Sequence, residues 1–83
     1  MKADEGEFLI SVYIHRIDGE GIHMTPREII NSPSFHTHYK RAWYFLDKWW
    51  DKGWYEYGVT TDMGWLTKEG ENQARLLLGK ETL

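Results

Sequence analysis

The sequence predicts a mainly helical α+β domain, and three local observations carry that prediction. Thr25-Pro26-Arg27-Glu28 has the spacing of a helix start. Ala42, Phe45, Leu46 and Trp49 recur at i, i+3, i+4 and i+7, the period of an amphipathic helix. The alternating run WYEYGV and the short Trp65-Leu66-Thr67 flank Thr60-Thr61-Asp62-Met63-Gly64, which is strand, turn and returning strand.

In chain order, Asp4 followed by Glu7 has capping-box spacing. Behind it, FLISVYIHRI places Leu9, Ile10, Tyr13, Ile14 and Ile17 on one helical face. The same stretch alternates through Phe8, Ile10, Val12 and Ile14, so a strand stays open, and the cap favours the helix. DGEG ends it. The Thr25 box opens a short helix from Pro26 to about Asn31 that buries Ile29 and Ile30. Thr25 accepts from the backbone three residues on and Glu28 returns the bond. Ser32-Pro33-Ser34 breaks that helix. A longer helix, 36–51, begins at Phe35 or His36 and has Gly53 as its C′ residue. Its second flank reads Thr37, Lys40, Arg41, Tyr44 and Lys48, so one side packs and the other is polar and basic. After the hairpin, Thr67 caps a last helix that buries Ala74, Leu77 and Leu78 and ends near Gly79.

Eighty-three residues fit a single domain, 1–83. A chain this short buries only about 60 % of its unfolded surface, and without cysteine no disulfide reinforces its core. Thirteen aromatic residues can compensate, since each buries roughly 150–250 Å². Four of the five tryptophans, Trp49, Trp50, Trp54 and Trp65, lie in one dense stretch, residues 48–70, KWWDKGWYEYGVTTDMGWLTKEG. Trp49 and Trp54 are expected in the core and Trp65 is expected to pack across the hairpin. Trp43 and Trp50, seven apart on one helix, form a separate stripe expected to meet a terminal helix or a second subunit. The acidic start MKADEGEF lacks the basic region of a leader, and no apolar run approaches the ~20 residues of a membrane span. The expectation is a cytoplasmic protein with no membrane partner. The net charge of −3 is uneven, because residues 34–53 carry +2 and the remainder −5.

The order helix, short helix, longer helix, hairpin, helix resembles the winged helix-turn-helix family, most nearly small MarR-like or PadR-like bacterial domains. MTPREIINS resembles the first helix of the helix-turn-helix. HTHYKRAWYFLDKWWDKGWYEYG resembles a recognition helix running into the first wing strand, with Leu46, Trp49, Gly53 and Trp54 at the matching positions. GWLTKEGENQARLLL is similar to the return strand and the helix after it. The resemblance covers about residues 5–80 and implies a three-helix body, a two-stranded β-hairpin wing and a C-terminal helix. Two departures stand out. The recognition-helix core uses Phe and Trp where small aliphatics are usual, and the wing GVTTDMG holds no Lys or Arg.

The function this resemblance implies is a small DNA-binding transcriptional regulator acting as a homodimer. Its recognition helix would lie in the major groove of double-stranded DNA. His36, Thr37, Lys40, Arg41, Tyr44 and Lys48 fall on the DNA-facing positions. Arg41 suits a guanine edge, Lys40 and Lys48 suit phosphates, and Trp43 and Trp50 are the candidate dimer surface. The plain alternative for these cations is a solvated helix face. The rival function is a winged-helix protein–protein interaction module, an adaptor or inhibitor that does not bind DNA. The acidic charge, the wing without Lys or Arg and the surplus aromatics favour that rival. His36-Thr37-His38, His15 and His23 do not match a metal-ligand spacing, so no metal and no cofactor are expected. His38 reads instead as a partly buried or capping residue. Scattered carboxylates, with neither a phosphate loop nor a nucleophile–His pair, give no reason to expect an enzyme.

Overall fold

The computed structural model describes residues 1–81. It is α+β and mainly helical, with four helices and one antiparallel two-stranded hairpin. Its radius of gyration is 11.7 Å, matching the roughly 12 Å of one close-packed body of this length.

The first helix, α1 (Ala3–Ile14), carries Asp4 and Glu5 in its first turn, where the helix dipole favours negative charge. The expected cap at Asp4 is corrected. Lys2 is the N-cap residue, without a side-chain bond, and the Asp4 carboxylate turns to Arg41 on another helix. The buried face is corrected too. Glu5, Phe8, Leu9 and Val12 point inward, while Ile14 is 47 % and Ile17 84 % exposed. Phe8 decides the rotation, because its ring meets Phe35 at 5.3 Å and Trp49 at 5.2 Å, whereas Ile17 lies beyond the helix end.

The short α2 (Pro26–Ile30) has the full capping box. Glu28 N–H donates to Thr25 Oγ1 at 3.2 Å and Thr25 N–H to Glu28 Oε1 at 3.0 Å. Donation from Thr25 N–H, and then from the Thr25 hydroxyl, to that carboxylate holds the Glu28 carboxyl below its usual pKa. Ile29 is buried and Ile30 packs at the core edge.

Helix α3 (Tyr39–Asp51) starts later than its sequence suggests, because His38 is the N-cap and its ring accepts from Lys40 N–H at 3.2 Å. His36 and Thr37 therefore precede the helix. The inward stripe is Ala42, Phe45, Leu46 and Trp49, as the periodicity predicts. Lys52 closes the helix and Gly53 follows at φ 78°, a left-handed conformation that favours glycine.

The hairpin is shorter than its sequence pattern. Strands β1 (Tyr55–Glu56) and β2 (Trp65–Leu66) pair Tyr55 with Leu66 and Glu56 with Trp65. This register puts Trp65 opposite exposed Glu56, and Trp65 is 52 % exposed rather than packed across the ribbon. Between the strands, Thr61–Met63 form a 3-10 turn. Tyr55 organises it, donating from its hydroxyl to Thr61 O at 2.6 Å and accepting from Gly64 N–H at 2.8 Å.

Helix α4 (Lys68–Glu81) begins directly off β2. Thr67 Oγ1 accepts from Gly70 N–H at 3.2 Å and donates to Gly53 O at 2.6 Å, tying the helix start to the end of α3. Ala74 is fully buried and Leu77 packs on the core. The helix runs past the expected stop at Gly79.

Trp49, 0 % exposed, sits at the centre of the core. Phe8, Phe45 and Tyr55 surround it, with ring centroids 5.2–6.5 Å away. Much of the aromatic content therefore replaces aliphatic core, but Trp43, Trp50 and Trp65 remain at the surface.

Candidate functional site

Helix α3 presents two polar flanks of different character. The first holds Arg41 and Lys48, and it is the seam with α1. Both Arg41 Nε and Nη2 donate to the Asp4 carboxylate, the latter at 3.2 Å. The Arg41 guanidinium also lies over the Phe45 ring, 4.9 Å from its centroid. The hydrogen-bonded pair holds the Asp4 carboxyl below its usual range and raises the Arg41 guanidinium further. One turn on, Lys48 Nζ donates to Glu5 Oε1 at 3.0 Å. Glu5 is only 2 % exposed, and its second oxygen accepts from the buried Trp49 Nε1–H at 3.0 Å. A carboxylate at this depth requires such partners, since burying an unpaired charge costs several kcal/mol, roughly. Both of these sequence-expected DNA cations are thus engaged within the fold.

The second flank faces solvent. It holds Tyr39, Lys40, Trp43, Tyr44, Asp47, Trp50 and Asp51, all exposed. Lys40 is the cation of this face, and Asp47 and Asp51 are its acids. Tyr44 is 60 % exposed, Trp50 51 % and Trp43 36 %. Trp50 rests against Tyr57 of the hairpin, with ring centroids 6.3 Å apart. The Trp43/Trp50 stripe was expected to meet a terminal helix or a second subunit; within the chain, the ring contact of Trp50 is this hairpin tyrosine. Of the remaining expected DNA-facing residues, His36 is exposed and Thr37 half-buried, both in the segment leading into the helix. The fold thus leaves His36, Lys40 and Tyr44 at the surface and draws Arg41 and Lys48 against α1.

A third feature lies at the hairpin tip. Arg27 on α2 grips the Asp62 carboxylate through two bonds, at 2.8 and 3.0 Å, and reaches Thr60 Oγ1 at 3.2 Å. Asp62 is nearly buried, at 6 % exposed. The Arg27 bonds hold its carboxyl below the usual range, with help from Thr60. The tip is therefore locked to the body by an acid–base pair.

Sequence reasoning missed Asp4, Glu5, Asp62 and Arg27 as the groups that define these surfaces. For Glu5 a signal existed: Glu5, Phe8, Leu9 and Val12 share the i, i+3, i+4, i+7 spacing, which puts the acid on the buried face. For the Arg27–Asp62 pair, 35 residues apart, no local signal exists.

Among the described residues, no three His, Asp or Glu side chains come together as a metal-binding group. No described helix is long and apolar enough to cross a membrane. No family model, curated protein or solved structure matches this chain.

Proposed function

We propose that this chain is a winged-helix module that docks a protein partner on the solvent face of α3 rather than reading duplex DNA. The element order and the antiparallel hairpin before α4 support the winged-helix reading. The observation that carries the function is the composition of that face. Trp43, Tyr44 and Trp50 stand exposed on the same face as Asp47 and Asp51, while Arg41 and Lys48 are bound to Asp4 and Glu5. Phosphate binding draws its affinity from cations free to displace counterions, and two of the three on α3 are engaged. Exposed Trp and Tyr are the side chains that anchor protein interfaces.

The partner this face fits is a different protein, with an apolar centre framed by basic side chains that meet Asp47 and Asp51. A second copy fits less well. A two-fold axis pairing Trp43 with Trp50 would pass near Asp47 and oppose the two copies of that carboxylate.

The DNA-reading alternative keeps one specific observation, that His36, Lys40 and Tyr44 remain exposed at or near the start of α3. Two measurements separate the readings. A partner captured from the native host, identified and purified, binds the wild-type chain. It binds Trp50→Ala or Trp43→Ala about 30-fold or more weakly, the loss of an interface anchor worth ~2 kcal/mol. Duplex DNA shows no binding at about 50 mM salt. The proposal fails if DNA binds with a steep salt dependence, Lys40→Glu abolishes that binding and Trp50→Ala leaves it intact.

A further inference from the structure

A groove separate from the α3 face lies where the end of α1, the loop of residues 15–25 and the hairpin come together. It encloses about 540 Å³, inside the roughly 300–1,000 Å³ range of small-molecule sites. Its walls are apolar, with Val12, Met24 and Leu66 below and Ile17, Met63 and Trp65 along the rim. Ile17 is 84 % exposed, Trp65 52 % and Met63 42 %, so large side chains that α1 and the hairpin do not bury are gathered around one opening.

The polar groups of this groove are biased in one direction. Asp18, Glu28 and Glu71 line it, with Arg16 as the cation. Arg16 is already committed. Its Nε lies 3.4 Å from Asp18 and 3.5 Å from Glu71, its Nη1 donates to Tyr13 O at 2.8 Å, and its guanidinium covers the Tyr13 ring at 4.0 Å. The lining therefore keeps an excess of negative charge. Two imidazoles, of His15 and His23, also line the groove. His15 Nδ1 bonds Ile22 O at 2.9 Å and His23 Nδ1 bonds Arg16 O at 3.0 Å. A carbonyl only accepts, so each Nδ1 carries the proton, and in the neutral ring Nε2 is left as an acceptor.

Apolar walls, an exposed indole, imidazole acceptors and surplus carboxylate together select one kind of ligand. We propose that this groove binds a small amphipathic amine, with an aromatic or branched apolar body against Met63, Trp65 and Leu66. Its protonated nitrogen is directed to the carboxylates of Glu71 and Asp18. An ammonium also gains from the Trp65 ring face. A carboxylate ligand of the same shape meets like charges and a guanidinium that is already paired.

The test uses three probes of similar size, phenethylamine, 2-phenylethanol and phenylacetate, titrated into isotope-labelled protein and followed by NMR. Phenethylamine is expected to shift the Trp65 indole and the His15 and His23 signals. It should bind about tenfold more tightly than phenylacetate, the difference that roughly two surface ion pairs supply. Glu71→Gln and the more exposed Asp18→Asn should each weaken the amine several-fold. Glu71→Gln, by releasing Arg16, should also narrow the gap to phenylacetate. Retention of the wild-type spectrum away from the groove separates lost binding from lost folding. The proposal is overturned if the alcohol or the carboxylate binds as well as the amine. It is equally overturned if phenethylamine shifts no groove signal, or only those of Trp43 and Trp50.

Discussion

Replacing Glu5 is the sharpest test of how α1 and α3 are joined. In Glu5→Ala, Lys48 loses a charge-assisted bond and Trp49 Nε1–H, at the centre of the core, loses its acceptor. Breaking a fully buried pair costs about 3–5 kcal/mol, but the Lys48 side chain is 34 % exposed and recovers hydration. The indole N–H cannot, because Trp49 is 0 % exposed, and an orphaned buried donor costs about 1–3 kcal/mol. The expected loss is therefore about 2–4 kcal/mol. For a domain of this size each kcal/mol moves Tm by about 4–8 °C, so Glu5→Ala should melt at least ~8 °C below wild type by circular dichroism. Glu5→Gln keeps an acceptor for Trp49 and should lose about half as much or less. If Glu5→Ala melts within about 3 °C of wild type, or if Gln is as damaging as Ala, the account of the seam is wrong.

Asp62 should make stability fall in acid. Its carboxyl is lowered from 3.8 in the fold, so its contribution is complete above that value and is lost as pH drops through the lower folded one. The stability gap between wild type and Asp62→Asn in urea should therefore shrink from about pH 5 to about pH 2. Tyr55 acts at the other end of the scale. Burial pushes its phenol well above the usual 10, so its contribution is present below that value and lost as pH rises toward the folded one. Tyrosinate absorbance from one of the five tyrosines should appear only together with loss of far-UV signal, and Tyr55→Phe should lack that coupled step. Gly64→Ala and Gly70→Ala should each destabilise by about 3 kcal/mol or more in thermal melts. A Cβ would stand 2.1 Å from Glu56 O in the first and 2.0 Å from Trp54 O in the second, and backbone cannot yield as a side chain does. Wild-type melting of either variant would contradict the tight seating of the hairpin.

The parts of the fold legible in the sequence are those set by neighbours within one or two helical turns. The Thr25 box is complete within four residues, and the stripe from Ala42 to Trp49 depends only on helical period, so both emerge as expected. The hairpin was legible in position but not in extent. The alternating run extends through Val59, whereas the ladder pairs Tyr55 and Glu56 with Leu66 and Trp65 before Tyr55 closes Thr61–Gly64 into a tight turn through its hydroxyl. The face of α1 was misread because a run of Ile outweighs a single acid in any hydrophobic pattern. Burial of Glu5 depends on Lys48 and Trp49, 43 and 44 residues away. The candidate site shares that difficulty. Residues 34–53 carry their cations in plain view, whereas the acids that engage Arg41 and Lys48 lie in the first turn of the chain.

The ion pairs with α1 also decide which side of α3 is left open to solvent. A helix that packs Ala42, Phe45, Leu46 and Trp49 inward still has two shoulders, and its neighbours determine which is covered. Asp4 and Glu5 bring α1 against the shoulder holding Arg41 and Lys48. The shoulder with Trp43, Asp47 and Trp50 is left toward solvent, and Tyr57 extends its aromatic surface onto the hairpin. Had the first turn of α1 been neutral, the same α3 would offer three cations to a polyanion. The acidic N-terminal turn thus does more than complement a helix dipole. By neutralising two basic residues inside the fold, it leaves α3 an outer face richer in exposed aromatic side chains than in unpaired cations, which is the ground of the proposed protein-docking role.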